Sequence, residues 1–299
     1  MFEVDRIPRV YLDTSFLSQF AKVEMGKLKV SDHAEKWEAL LARLRHEVQR
    51  GTLICPASQF PMQEALLSSK ILPQFRRVQS ELSGGYFFKD WMDILVHQAA
   101  DQVLVYLERP QDRNLGWSVL AEQILPISTP PSTRKSKEKV KQYAERLRKE
   151  KPPENSYDKQ YEAERNAFMW GERRRYYVPW DFFQMLIREA SLSQNELPKM
   201  LDFFRSELVD QIPFIHIFCS IYASLRFYER TRRSKDGDWL DVAALASAMP
   251  YCSIVTTDKS MREHIEKRLH FHTDYEADIF TPTAKSLDAL LERLEAFTQ

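Results

Sequence analysis

The stretch Arg9-Val10-Tyr11-Leu12-Asp13-Thr14-Ser15 reads as a short apolar strand that stops on an aspartate. Near the other end, Cys252-Ser253-Ile254-Val255-Thr256-Thr257-Asp258 follows the same plan. In an open parallel sheet flanked by helices, ligands bind beyond the carboxyl ends of the strands. Two neighbouring strands ending this way set two carboxylates side by side, and a cation between them relieves their repulsion. Glu64 and Asp241 stand at the starts of apolar helical runs and complete a set of four acids. Hard oxygen ligands of this kind select Mg²⁺ or Mn²⁺ over zinc.

Outward from these stretches, the chain alternates before and after a long middle. His33 to Arg50 repeats Trp37, Leu40, Leu41, Leu44 and Val48 at helical spacing, and Gly51 stops it. Thr52-Leu53-Ile54-Cys55 reads as a second buried strand ended by Pro56, and Met62 to Ser69 as a helix carrying Glu64. Such alternation predicts parallel strands with right-handed crossovers. From about Ile71 to Lys235 the pattern is helical with almost no strand; Lys89 to Glu108, Glu196 to Val209 and Ile215 to Arg230 read as amphipathic helices. After Gly237 come an Ala-rich helix from Asp241 to Met249, a strand at Ser253–Thr256, and a helix from Ser260 to Leu269. A last strand at His270–Thr273 and a closing helix from Lys285 to Phe297 complete the reading.

The bulk numbers bound the function. With 43 Lys+Arg against 43 Asp+Glu in 299 residues, nucleic-acid binding has to come from a local patch. Three such patches stand out: residues 132–151, with nine Lys/Arg against three Glu; Arg173-Arg174-Arg175 beside Tyr176 and Tyr177; and Arg230, Arg232, Arg233 and Lys235. Basic runs with interleaved rings suit unpaired bases on a phosphate backbone, although a solvated loop accounts for a charge run equally well. Cys55, Cys219 and Cys252 lack metal-ligand spacing and read as buried thiols of a reducing compartment. Only seven glycines, with no glycine-rich phosphate loop, count against nucleotide binding. No secretory leader or bilayer-length apolar run is read, so the expectation is a cytoplasmic protein without a membrane partner.

In order and spacing, Val10-Tyr11-Leu12-Asp13-Thr14-Ser15, Glu64, Asp241 to Ala248 and Ile254-Val-Thr-Thr-Asp258 resemble the motifs of the PIN-domain nucleases. The resemblance implies a three-layer α/β/α fold with a central parallel sheet. Residues 1–70 and 236–299 would form the nuclease domain, split by a helical insertion over 71–235. It implies a Mg²⁺- or Mn²⁺-dependent endoribonuclease, with Asp13, Glu64, Asp241 and Asp258 as catalytic metal ligands and Asp238 as a fifth carboxylate. Thr14, Ser15, Thr256 and Thr257 would support them, and one hydroxyl would orient a metal-bound water or a phosphate. Arg173, Arg174, Arg175, Arg230, Arg232, Arg233 and Lys235 would track RNA, or single-stranded DNA. The family also implies a toxin–antitoxin-like inhibitory or regulatory protein partner and a homodimer as an open oligomeric state. The chain departs from compact members in its length and neutrality. An alternative reading is a scaffold of the same fold that binds a partner protein or nucleic acid without cleavage. The bland readings are that Asp13 is an ordinary helix N-cap, that Glu64 is a solvated first-turn residue complementing the helix dipole, and that Asp238 caps the helix in whose first turn Asp241 lies.

Overall fold

Val10 and Tyr11 are the only two residues of strand β1 (Val10–Tyr11), and this brevity governs the architecture. A computed structural model describes residues 7–29, 33–65, 70–122, 154–170, 180–229 and 238–296. The further strands are β2 (Phe87–Phe88), β3 (Leu120–Ala121), β4 (Ile254–Thr256) and β5 (Asp278–Phe280). β1, β4 and β5 form a three-stranded parallel sheet in that order, with Val10 opposite Ile254, and Ile254 opposite Asp278. β2 and β3 form a separate antiparallel pair.

The expected three-layer α/β/α fold about a central parallel sheet is not what forms. The described residues are mostly helical, 68% helix and 6% strand. The apolar runs Val10–Leu12, Leu53–Cys55 and Ile254–Thr256 are buried, but the backbone pairs over no more than three residues of any of them. Thr52–Cys55 contributes a single parallel bridge, Ile54 to Arg9, and Pro56, which has no N–H to donate, follows directly. The segment His270–Thr273, expected as the last strand, enters a helical turn at Phe271–Asp274; the last strand is Asp278–Phe280 instead. Phe87–Phe88 and Leu120–Ala121 pair in a region that reads as helical with almost no strand.

The helices carry the fold: α1 (Thr14–Glu24), α2 (Ala34–Arg50), α3 (Gln59–Ala65), α4 (Leu72–Ser83), α5 (Trp91–Tyr106), α6 (Tyr157–Trp170) and α7 (Trp180–Glu189). After them come α8 (Leu197–Arg205), α9 (Pro213–Tyr228), α10 (Asp238–Ala248), α11 (Lys259–Glu263), α12 (Phe271–Asp274) and α13 (Ala284–Ala296). The chain divides into two units. The first comprises Met1–Lys89, Ser118–Ser132 and Ala248–Gln299, and the second Asp90–Trp117 and Thr133–Ser247.

In the first unit, α1, α2, α4 and α13 bury one apolar stripe each around the small sheet. Phe16, Phe20 and Trp37 meet edge-on with centroids 5.0 to 6.4 Å apart, a geometry the ring quadrupoles favour. Leu40, Leu44, Phe75, Val78, Leu287 and Leu290 close the same core. Gly51 ends α2 at φ +70°, and its N–H bonds back to the Val48 carbonyl. A Cβ added there meets nothing within 4 Å, so only the left-handed backbone opposes a side chain. Gly51→Ala is therefore expected to lower stability by about 1 kcal/mol, read by chemical unfolding, without changing the core.

In the second unit, α9 is buried along most of its length from Phe214 to Leu225 and packs on α6, while α7 packs on α5. Arg226 of α9 crosses to Glu164 of α6 at 2.7 Å, and Gln160, one turn earlier in α6, donates to the same Glu164 oxygen at 2.7 Å. This unit consists of helices over its described residues, because its apolar positions recur at three and four and leave no alternating run for a strand.

Candidate functional site

Strand β1 delivers Asp13, and β4 delivers Asp258, to the same edge of the parallel sheet. Each aspartate turns its strand into a helix with nearly the same backbone conformation: φ −74° and ψ 172° at Asp13, φ −74° and ψ 167° at Asp258. Each is an N-cap. The Asp13 carboxylate accepts from the Phe16 N–H at 3.1 Å, and that of Asp258 from the Met261 N–H at 2.7 Å. The bland reading of Asp13 is thus true as far as it goes; capping, however, uses only part of its carboxylate.

The rest of the Asp13 environment comes from two hydroxyls. Ser15 Oγ lies 2.9 Å from both carboxylate oxygens. Thr256, fully buried in β4, accepts the Asp13 N–H at 2.9 Å and turns its own hydroxyl toward Asp13 Oδ1 at 3.3 Å. Thr256 therefore locks the end of β1 to the end of β4 through both the backbone and the carboxylate of one residue. Burial pushes the Asp13 carboxyl up to about 6, against the opposing pull of the Phe16 amide and the two hydroxyls. These hydrogen-bond donors are all neutral and bring no counter-charge to the anion. Asp258 stands exposed at the next strand's end, and Thr257 beside it is buried, its N–H donating to the Phe280 carbonyl at 2.9 Å. Thr14 is half-buried in the first turn of α1.

The other expected acids are placed as follows. Glu64 lies in α3, and its side chain falls outside the described residues. Asp238 and Asp241 both lie in the first turn of α10, in the second unit; Asp238 is buried and Asp241 half-buried. Arg173, Arg174, Arg175, Arg230, Arg232, Arg233, Lys235 and the basic run 132–151 lie outside the described residues. Among the described residues, no three His, Cys, Asp or Glu side chains gather into a metal-holding group. What comes together in the first unit is thus the Asp13–Ser15–Thr256 cluster, with Asp258 ending the neighbouring strand.

The second unit adds carboxylates that the sequence reading passes over. Asp90 caps α5, accepting the Met92 N–H at 2.8 Å, and Asp93 lies in the first turn. Trp91 and Trp239 meet edge-on with centroids 5.7 Å apart, which joins the first turns of α5 and α10. The signal was present in the chain as one pattern used twice, Asp90-Trp91-Met92-Asp93 and Asp238-Trp239-Leu240-Asp241.

No protein-family model, no curated protein and no solved structure matches this chain.

Proposed function

We propose that the chain is a Mg²⁺- or Mn²⁺-dependent endoribonuclease of the cytoplasm, with its chemistry at the carboxyl ends of β1 and β4. The observation that carries this reading is the Asp13 carboxylate, half-buried, held among the described residues by neutral donors, and pushed up to about 6. An anion kept under such strain is well matched to a divalent cation, and carboxylate and hydroxyl oxygens are the hard donors that Mg²⁺ and Mn²⁺ take. Asp13 and Asp258 would hold the ion, with Glu64 as the third acid of the same unit. When bound, it supplies a water of lowered pKa and offsets charge on the leaving oxygen.

The chain's own residues perform the remaining tasks. Ser15 and Thr256 fix the Asp13 carboxylate in one orientation, so that little reorganisation is needed. Asp258 is exposed, and the carboxylate oxygen not used in capping would position the attacking water and take its proton. In-line attack of a water on phosphorus would form one P–O bond and break the bond to the 3′-oxygen, with the water's proton passing to Asp258 and the leaving oxygen protonated from solvent, to give a 5′-phosphate and a 3′-hydroxyl. The buried, protonated thiols of Cys55, Cys219 and Cys252 fit a reducing compartment. The basic runs of the sequence favour a polyanionic substrate.

The test is a cleavage assay on fluorescent single-stranded RNA and DNA with Mg²⁺, Mn²⁺ or EDTA. Asp258→Asn, Glu64→Gln and Asp241→Asn are assayed one at a time. Metal-dependent cutting of RNA is expected, abolished by EDTA and lowered by roughly 100-fold or more in Asp258→Asn. Cutting that survives EDTA, or wild-type activity in Asp258→Asn, would overturn the reading. A protein that cuts neither polymer and binds no metal would be a partner-binding scaffold.

A further inference from the structure

His97 lies in the middle of α5, only 9% exposed, with its ring stacked on Trp117 at a centroid distance of 4.0 Å and an interplanar angle of 10°. Both ring nitrogens face acids. Nδ1 is 3.6 Å from Glu189 Oε1, at the end of α7, and Nε2 is 3.9 Å from Asp101 Oδ2, one turn along α5. Arg113, in the loop that leads to Trp117, reaches the same Asp101 oxygen at 3.0 Å. Of the other helices on α5, α8 has Glu196 as its N-cap, which Arg109 holds at 2.7 Å, and α9 meets α5 where the Phe214 N–H donates to Gln98 at 2.8 Å. Among the described residues, the ion-pair contacts of the ring and of its acids bring in two carboxylates, Glu189 and Asp101, and one guanidinium, Arg113, which pairs with Asp101.

We infer that His97 is a proton-operated tie that fastens the end of α7 and the 113–117 loop to α5. With its proton, the imidazolium is drawn to Glu189 on one side and Asp101 on the other, and lies flat against the Trp117 indole, where a cation is attracted by the ring face. Without it, Glu189 loses its cationic partner, while Asp101 keeps Arg113. The element released is therefore the C-terminal turn of α7. Only the protonated ring attracts both acids, so the tie acts at low pH and is released as pH rises. The device is independent of the nuclease reading and lies within the second unit.

The test uses the full chain and the Trp117 emission, isolated as the difference between wild type and Trp117→Phe at each pH. An imidazolium stacked on an indole quenches it. The wild type is expected to lose Trp117 emission as pH falls from 8 to 5, and His97→Gln to abolish that change. Glu189→Gln, which alters a partly exposed side chain and leaves the core intact, is expected to move the midpoint to lower pH. Amide exchange in the last turn of α7, corrected for intrinsic rates, is expected to speed up above the midpoint in the wild type alone. An unchanged pH response in His97→Gln, or an unmoved midpoint in Glu189→Gln, would overturn the inference.

Discussion

Asp13→Asn is expected to yield a protein that is more stable at neutral pH and inactive. Burial holds the Asp13 carboxyl up at about 6 from its ordinary 3.8, so the folded state favours the protonated form. The corresponding stability is fully present below about pH 4 and is lost as pH rises through 6. Above pH 6 the metal-free wild type carries the whole cost of an ionised, buried group, about 3 kcal/mol as a ceiling. Asparagine has no charge to desolvate, ranks with aspartate as an N-cap, and its carbonyl can accept from the Phe16 amide and the Ser15 and Thr256 hydroxyls. In EDTA, urea unfolding at pH 4 and pH 7 should therefore show little difference between the two proteins at pH 4 and a more stable variant at pH 7. Mn²⁺ should stabilise the wild type and leave the variant unmoved. Cleavage should fall by roughly 100-fold or more. A variant that is less stable at pH 7 would make Asp13 a structural cap and nothing else; a group kept at a cost to the fold is the signature of a functional one.

The second large effect is structural. Phe16→Ala is expected to destabilise the protein by about 3–5 kcal/mol. Phe16 has no exposed surface, and its ring meets both Phe20 and Trp37 edge-on. Those two rings also touch each other, at 5.6 Å, so the hole left by truncation has rigid walls that cannot easily collapse. Phe16 is also the residue whose N–H is capped by Asp13. Phe16→Leu, which keeps most of the volume, should cost less than half as much, and urea unfolding of the two variants measures the difference. Equal loss in both would mean that the aromatic contacts, rather than the filled volume, hold α1 against α2.

The helices of the first unit are legible in the sequence because their information is local. Trp37, Leu40, Leu41 and Leu44 recur at helical spacing, and Gly51 marks the stop; the structure places α2 at Ala34–Arg50. The strands are legible as apolar runs, but not as a sheet. Whether a run such as Leu53-Ile54-Cys55 pairs along its length depends on partners far away in the chain and on the proline that follows, and here only Ile54 bridges. His270–Thr273 misleads for a related reason: His270 adopts φ +58°, which starts a turn where alternation suggests a strand. At the site, Asp13 and Asp258 are readable because each ends an apolar run. Thr256 is visible only as a neighbour of Asp258; its role in holding Asp13 comes from the pairing of β1 with β4. That the first turns of α5 and α10 meet is not legible either, because it rests on Trp91 touching Trp239 across 148 positions of chain, which no spacing rule reports.

The pairing of Val10 with Ile254 has a consequence for how the protein is made. A ribosome adds roughly 5–20 residues each second, so β1 leaves the exit tunnel on the order of ten to fifty seconds before its partner exists. During that interval Val10, Tyr11 and Leu12, all buried in the finished protein, have no strand β4 to join. α1 and α2 lie close together in the chain and can shelter Phe16, Phe20 and Trp37 early, but the apolar edge of β1 has to wait for the last fifth of the chain. A nascent chain stalled before residue 250 should therefore bind a hydrophobic-segment chaperone, and release it once β4 and β5 have been translated.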